Sequence, residues 1–98
     1  MSNQLKMKGI WIHNYILLDT KLSDKEKFIL SIILYLSNDT NCCYVSNKQL
    51  SNTLNISITQ ISKLVNSLKA KSYIDIFLNY KTDSKEIENR CITPIIKN

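Results

Sequence analysis

Between Ser57 and Lys71 the chain carries side chains suited to holding a polyanion and its bases by hydrogen bonds. Thr59, Gln60, Ser62, Lys63, Asn66, Ser67 and Lys69 are all hydrogen-bond donors or cations, and none is acidic. Such a set can address base edges and phosphate oxygens together. Catalysis lacks its materials. There is one histidine, His13, and no paired carboxylates, phosphate-cradling glycine loop or Cys/His spacing for a metal, so the sequence predicts no enzyme, no metal site and no cofactor.

The elements that position these residues announce their own starts. Ser46 with Gln49, and Ser57 with Gln60, have the S-x-x-Q form of a capping box, in which the serine oxygen accepts the N3 amide and the glutamine reaches back to the cap amide. Asn55 falls between them, where a first helix must end in a left-handed residue. Leu50 and Leu54 are spaced i, i+4 on that helix, and Ile58, Ile61, Leu64, Val65 and Leu68 form one stripe on the second, with Ile56 dropping between the two. The donors and cations are left on the second helix's outer face, the make-up of a helix that enters a DNA major groove. A third box, Ser23 with Glu26, opens an earlier helix expected to run to about Ser37. From Phe28 to Leu36 its apolar residues go almost all the way round. Either the Ile10–Leu18 segment or a second subunit must cover the extra face. A homodimer through Phe28–Leu36 and the N-terminal segment is therefore expected.

The remaining stretches complete the order. Residues 1–9 are expected to form an arm carrying Lys6 and Lys8, and residues 10–98 the domain. Ile10–His13 suits an extended segment, with Trp11 either packed inside, the favoured reading, or an interface anchor, and His13 expected to be an ordinary surface or capping residue. Cys43-Tyr44-Val45 reads as a short strand. Ile74–Tyr80 alternates with period two, placing 74, 76, 78 and 80 on one face. Lys81–Asn89 reads as a loop and Arg90–Thr93 as the return strand, which Pro94 ends. Helix, short strand, helix, helix, strand, loop, strand is an α+β winged helix-turn-helix, a three-helix core with a two- to three-stranded wing.

Composition sets the outer bounds. Ninety-eight residues, 44% hydrophobic and 21% charged, make one domain with an ordinary core. The net charge of +5 is unevenly placed: Asn41–Ile74 holds four lysines and no acid, whereas Asp75–Asn98 balances four acids against four bases. That acid-free window favours double-stranded DNA as partner over a purely protein-binding surface. Cys42 and Cys43 are adjacent and poorly placed to bond each other, and Cys91 is distant in sequence, so reduced thiols and a cytoplasmic location are expected. No run is long enough to span a bilayer, and no membrane or small-molecule partner is expected.

Leu22–Lys27, Tyr44–Leu50, Leu54–Ser57, Ile61–Val65 and Leu68–Ile74 together resemble the winged helix-turn-helix superfamily. More narrowly, they resemble the N-terminal DNA-binding domains of plasmid and phage replication initiators of low-GC Gram-positive bacteria, over about residues 10–95. The resemblance implies that Ser57, Thr59, Gln60, Ser62, Lys63 and Asn66 face the groove. It implies that Lys48, Lys69 and Lys71 position the phosphate backbone, and that Lys81, Lys85 and Arg90 in the wing reach phosphate or the minor groove. Ser51 stands where the family usually has alanine, its hydroxyl expected to bond back to the Asn47 carbonyl. Asn55 and Ser72 replace glycines at the two helix exits, and Ser72 suggests a different exit geometry. The implied function is sequence-specific binding of double-stranded DNA at an origin or operator of a mobile element. Accessory roles in plasmid transfer or partition, repression of transcription, and a protein-interaction module are the alternatives.

Overall fold

The computed structural model describes Met7 and residues 9–37, 40–83 and 87–95; most of the expected arm, and Lys85, lie outside the described residues. The elements are α1 (Asn14–Leu17), α2 (Asp24–Leu36), α3 (Asn47–Leu54), α4 (Ile58–Ala70), β1 (Ile74–Tyr80) and β2 (Ile87–Pro94). This is the winged-helix order, with the one-turn α1 added ahead of it.

Local chemistry sets the helix ends. Ser23 and Ser46 form complete capping boxes with Glu26 and Gln49. At the exit of α3, Asn55 is left-handed (φ 57°), and its amide and that of Ile56 both donate to the Ser51 carbonyl. The Ser51 hydroxyl donates forward to the Ile56 carbonyl rather than back to Asn47, so it ties the turn instead of the helix. Ser72 also takes the left-handed conformation (φ 66°), with Tyr73 N–H donating to Leu68 O and Ser72 N–H to Lys69 O. That is the Schellman arrangement a glycine would make, so the exit geometry is conserved and serine bears its steric cost.

The core is one cluster. Ile29, Leu30 and Ile33 of α2 join Leu50 of α3, Ile61, Val65 and Leu68 of α4, and Ile74 and Ile92 of the sheet. Ahead of α2, Ile10, Ile12 and Ile16 pack against it, so the N-terminal segment does cover part of the extra apolar surface. Trp11 does not join them. Extended backbone alternates its side chains, and with Ile10 and Ile12 turned inward Trp11 faces solvent, 75% exposed. The expectation that it packs inside is corrected.

At the joint between α2 and α4 a carboxylate is buried. Glu26 accepts from the Ser23 amide at 2.9 Å, from Ser67 Oγ at 2.8 Å and from Lys71 Nζ at 2.9 Å. Lys71 Nζ donates in addition to the Lys21 carbonyl at 2.7 Å. Nearby, the Tyr73 hydroxyl donates to Asp19, which holds its pKa up to about 12.

The two strands pair antiparallel, from Ile74 opposite Pro94 to Tyr80 opposite Ile87, with a bulge at Asn79/Tyr80. β2 starts earlier than the expected Arg90, because the cross-strand pairs Leu78–Arg90 and Asn79–Asn89 extend the hairpin past the core. Cys43 adds an isolated bridge to Ile92, exchanging both backbone hydrogen bonds at 2.8 Å. Both residues point into the core, so Cys42 and Cys91 fall on the opposite face, where a disulfide joins them with Cα atoms 5.4 Å apart. The expectation of unpaired thiols is thereby corrected: antiparallel pairing removes a separation of 49 residues. Cys43 alone stays a thiol, and burial pushes its pKa up.

Two outcomes follow. Burial pushes the Glu26 carboxyl up, but the Ser23 amide, Lys71 and Ser67 outweigh it and hold its pKa below the ordinary carboxylate value. Its contribution to stability is therefore complete above that ordinary value and is lost as pH falls through the lower folded one. Urea midpoints measured across acidic pH should show this loss, and Glu26→Gln should flatten it while lowering stability at neutral pH. Separately, the chain unfolded without reductant should be alkylated at Cys43 alone, and at Cys42 and Cys91 only after reduction, as read by mass. By the chain-entropy estimate, closing this loop stabilises the fold by about 4 kcal/mol.

Candidate nucleic-acid interface

α3 and α4 meet through Leu50, Leu54, Ile61 and Val65, and the Asn55 turn fixes the angle between them. The buried side of α4 is Ile61, Val65 and Leu68. One helical turn is 3.6 residues, so Thr59, Lys63 and Asn66 (i, i+4, i+7) line the opposite side, and all three are exposed. Gln60 flanks this line, exposed, and Ser62 flanks it on the other side, partly covered.

The third capping box is only half formed. Ser57 Oγ accepts the Gln60 amide at 3.2 Å, but the Gln60 side chain does not return to the Ser57 amide. That departure leaves the Gln60 carboxamide at the head of α4, able to pair with a base edge. Ser57 is exposed too, with its oxygen committed to the cap. Lys48 is exposed in the first turn of α3, and Lys69 in the last turn of α4. Neither α3 nor α4 has an acid in its first turn, so the amide ends of both helices keep their positive potential for phosphate.

Two of the expected phosphate contacts are engaged within the fold. Lys71 is held by Glu26 and the Lys21 carbonyl. Arg90, half-buried, donates from Nη2 to the Val45 carbonyl at 2.8 Å, and burial lowers its pKa. It ties the wing to the residue before the Ser46 cap. Arg90 meets the carbonyl of buried Val45 and Lys71 the buried Glu26 carboxylate, groups that need a donor once they are out of water. Lys81 is exposed just past β1, and Lys85 lies outside the described residues. The expected wing cations thus do not gather into one surface among the described residues.

Ile58 is absent from that expected set. It was expected within the buried stripe, yet it is half exposed beside Thr59. It occupies the first position of α4, before the helix has reached the core. An aliphatic side chain there can contact a thymine methyl group. Its place next to the Ser57 cap was the available signal.

An outward-facing helix of donors, a capped helix set against it and an antiparallel hairpin after it define a winged helix-turn-helix protein. The family model of the helix-turn-helix domain matches residues 20–74, from just ahead of α2 to the first residue of β1, and the chain belongs to that DNA-binding family. No curated protein and no solved structure matches the chain.

The geometry separates exposed residues of α4 from residues engaged within the fold. Lys63→Ala should weaken binding to a specific duplex by about 1–3 kcal/mol and leave the melting temperature unchanged. Arg90→Ala should do the reverse. It exposes the Val45 carbonyl and removes a charged hydrogen bond, lowering stability by about 1.5–3 kcal/mol by denaturant titration.

Proposed function

We propose that the protein binds double-stranded DNA in a sequence-specific manner, as a homodimer encoded on a plasmid or phage, at an origin or operator of that element. The observation that carries this reading is the α4 face, where Thr59, Gln60, Lys63 and Asn66 are exposed together on a helix with no acid in its first turn. Its chemistry is recognition, not catalysis: carboxamides and a hydroxyl for base edges, and lysines at 48, 63 and 69 for guanine or phosphate. With Arg90 of the wing engaged inside the fold, α4 is the main reader and the wing supports it. The resemblance to replication initiators favours an origin. Transfer, partition and repression use the same scaffold and are distinguished by where the bound sites lie.

Fragmented DNA from the source genome or plasmid, captured by the protein and sequenced, tests the reading. A cluster of repeats beside an origin or the protein's own gene is the expected result. Affinity for that site should fall steeply between low and physiological salt, because each neutralised phosphate releases counterions. Recovery of random fragments alone, or an affinity indifferent to salt, overturns sequence-specific binding.

A further inference from the structure

The N-terminal strap presents a surface that DNA reading does not use. Trp11, His13 and Tyr15 form a continuous ladder of rings, with the Trp11 and His13 centroids 6.5 Å apart edge to face and the His13 and Tyr15 rings stacked at 5.4 Å. Leu17 and Leu18 follow in sequence at the end of α1. Exposure is 75% for Trp11, 40% for Tyr15, 49% for Leu17 and 73% for Leu18. The Leu17 carbonyl accepts from Lys27 Nζ at 2.7 Å, which fixes the end of α1 against the first turns of α2, next to half-exposed Phe28. Together these side chains expose on the order of 600 Å² of largely apolar surface, approaching the ~800 Å² that each partner contributes to a stable complex.

Charge and position select the occupant. Residues 9–18 carry no carboxylate, lysine or arginine, and one histidine, His13, in a chain whose net charge is +5. An acidic partner finds no permanent positive charge there to pair with. Two copies of a cationic chain repel through most of their surface, and a neutral patch is where they can meet with least cost. α1 packs on α2, and α2 packs on α4, whose buried side is Ile61, Val65 and Leu68 and not the Thr59–Lys63–Asn66 line. A self-complementary contact here leaves both reading helices free.

We infer that the Trp11–Leu18 strap, with Phe28 at its edge, is the face on which a second copy of this chain docks. The inference rests on the homodimer reading above and specifies its contact surface. It places the contact on the strap and α1 with Phe28 contributed by α2, whose Ile29, Ile32 and Ile33 are already covered within one chain.

Trp11 is the single tryptophan, so its fluorescence reports on this face alone. The test is sedimentation of the DNA-free full chain from about 1 to 100 µM, with emission recorded on the same samples. A mass that doubles with concentration, together with a blue shift of Trp11 emission, is expected. Leu18→Glu, at a position too exposed to matter for folding, should remain monomeric with unchanged circular dichroism and with red, solvent-exposed emission. A monomer at every concentration overturns the proposal and assigns the patch to some other partner. A dimer with red emission, or one that survives Leu18→Glu, overturns it by placing the contact elsewhere. None of these results touches DNA recognition, because the sedimentation needs no DNA and the capture experiment scores binding whatever the mass.

Discussion

The buried Glu26 carboxylate is the point from which the rest of the molecule takes its orientation. It sits where the first turn of α2 meets the last turn of α4 and collects donors from both, with Ser23 on its own cap and Ser67 and Lys71 from the far end of the reading helix. A carboxylate this enclosed is tolerated only while its oxygens are filled. The requirement is directional, whereas the apolar contacts between Ile29, Ile33, Val65 and Leu68 would permit α4 to slide or roll. Hydrogen bonds at one end of α4 and the Asn55 turn at the other therefore fix which side of that helix faces outward.

The same kind of demand also engages two of the cations within the fold. Lys71 and Arg90 each satisfy a main-chain carbonyl at a junction between elements, at Lys21 and Val45. The chain spends its only arginine on holding the wing to the start of α3. On the proposed reading, recognition is left to carboxamides, hydroxyls and lysines on α4, a helix with no acid in its first turn.

Much of this was legible from residue types and spacing. The serine caps located three helices, the alternation of Ile74–Tyr80 located the first strand of the wing, and Asn55 located the turn. What remained hidden depended on partners distant in sequence. Nothing local to Cys42 or Cys91 reveals that the bridge between Cys43 and Ile92 sets them side by side. Nothing local to Arg90 reveals the Val45 carbonyl. Trp11 was misjudged for a different reason: composition favours burying a tryptophan, but strict alternation between Ile10 and Ile12 turns it outward. Gln60 departs from a pattern that Gln49 follows, since S-x-x-Q specifies a possible return bond and leaves the carboxamide free to point elsewhere. The outward face of α4 could be drawn on a helical wheel. Which of its neighbours were already engaged required the tertiary structure.

The Cys42–Cys91 bond has a topological consequence. It closes a covalent ring that contains all of α3, α4, β1 and most of the hairpin, while α1, α2 and the N-terminal strap hang outside it as a tail. A single cut anywhere within the ring, including at the hairpin tip, leaves every piece of the reading unit attached. A cut in the tail releases the strap from the reader. The two halves of the chain are thus unequal in the face of proteolysis: α3, α4 and the hairpin are held as a covalent loop, whereas the strap, α1 and α2 are held to it by packing and by the hydrogen bonds of Asp19, Lys21 and Glu26.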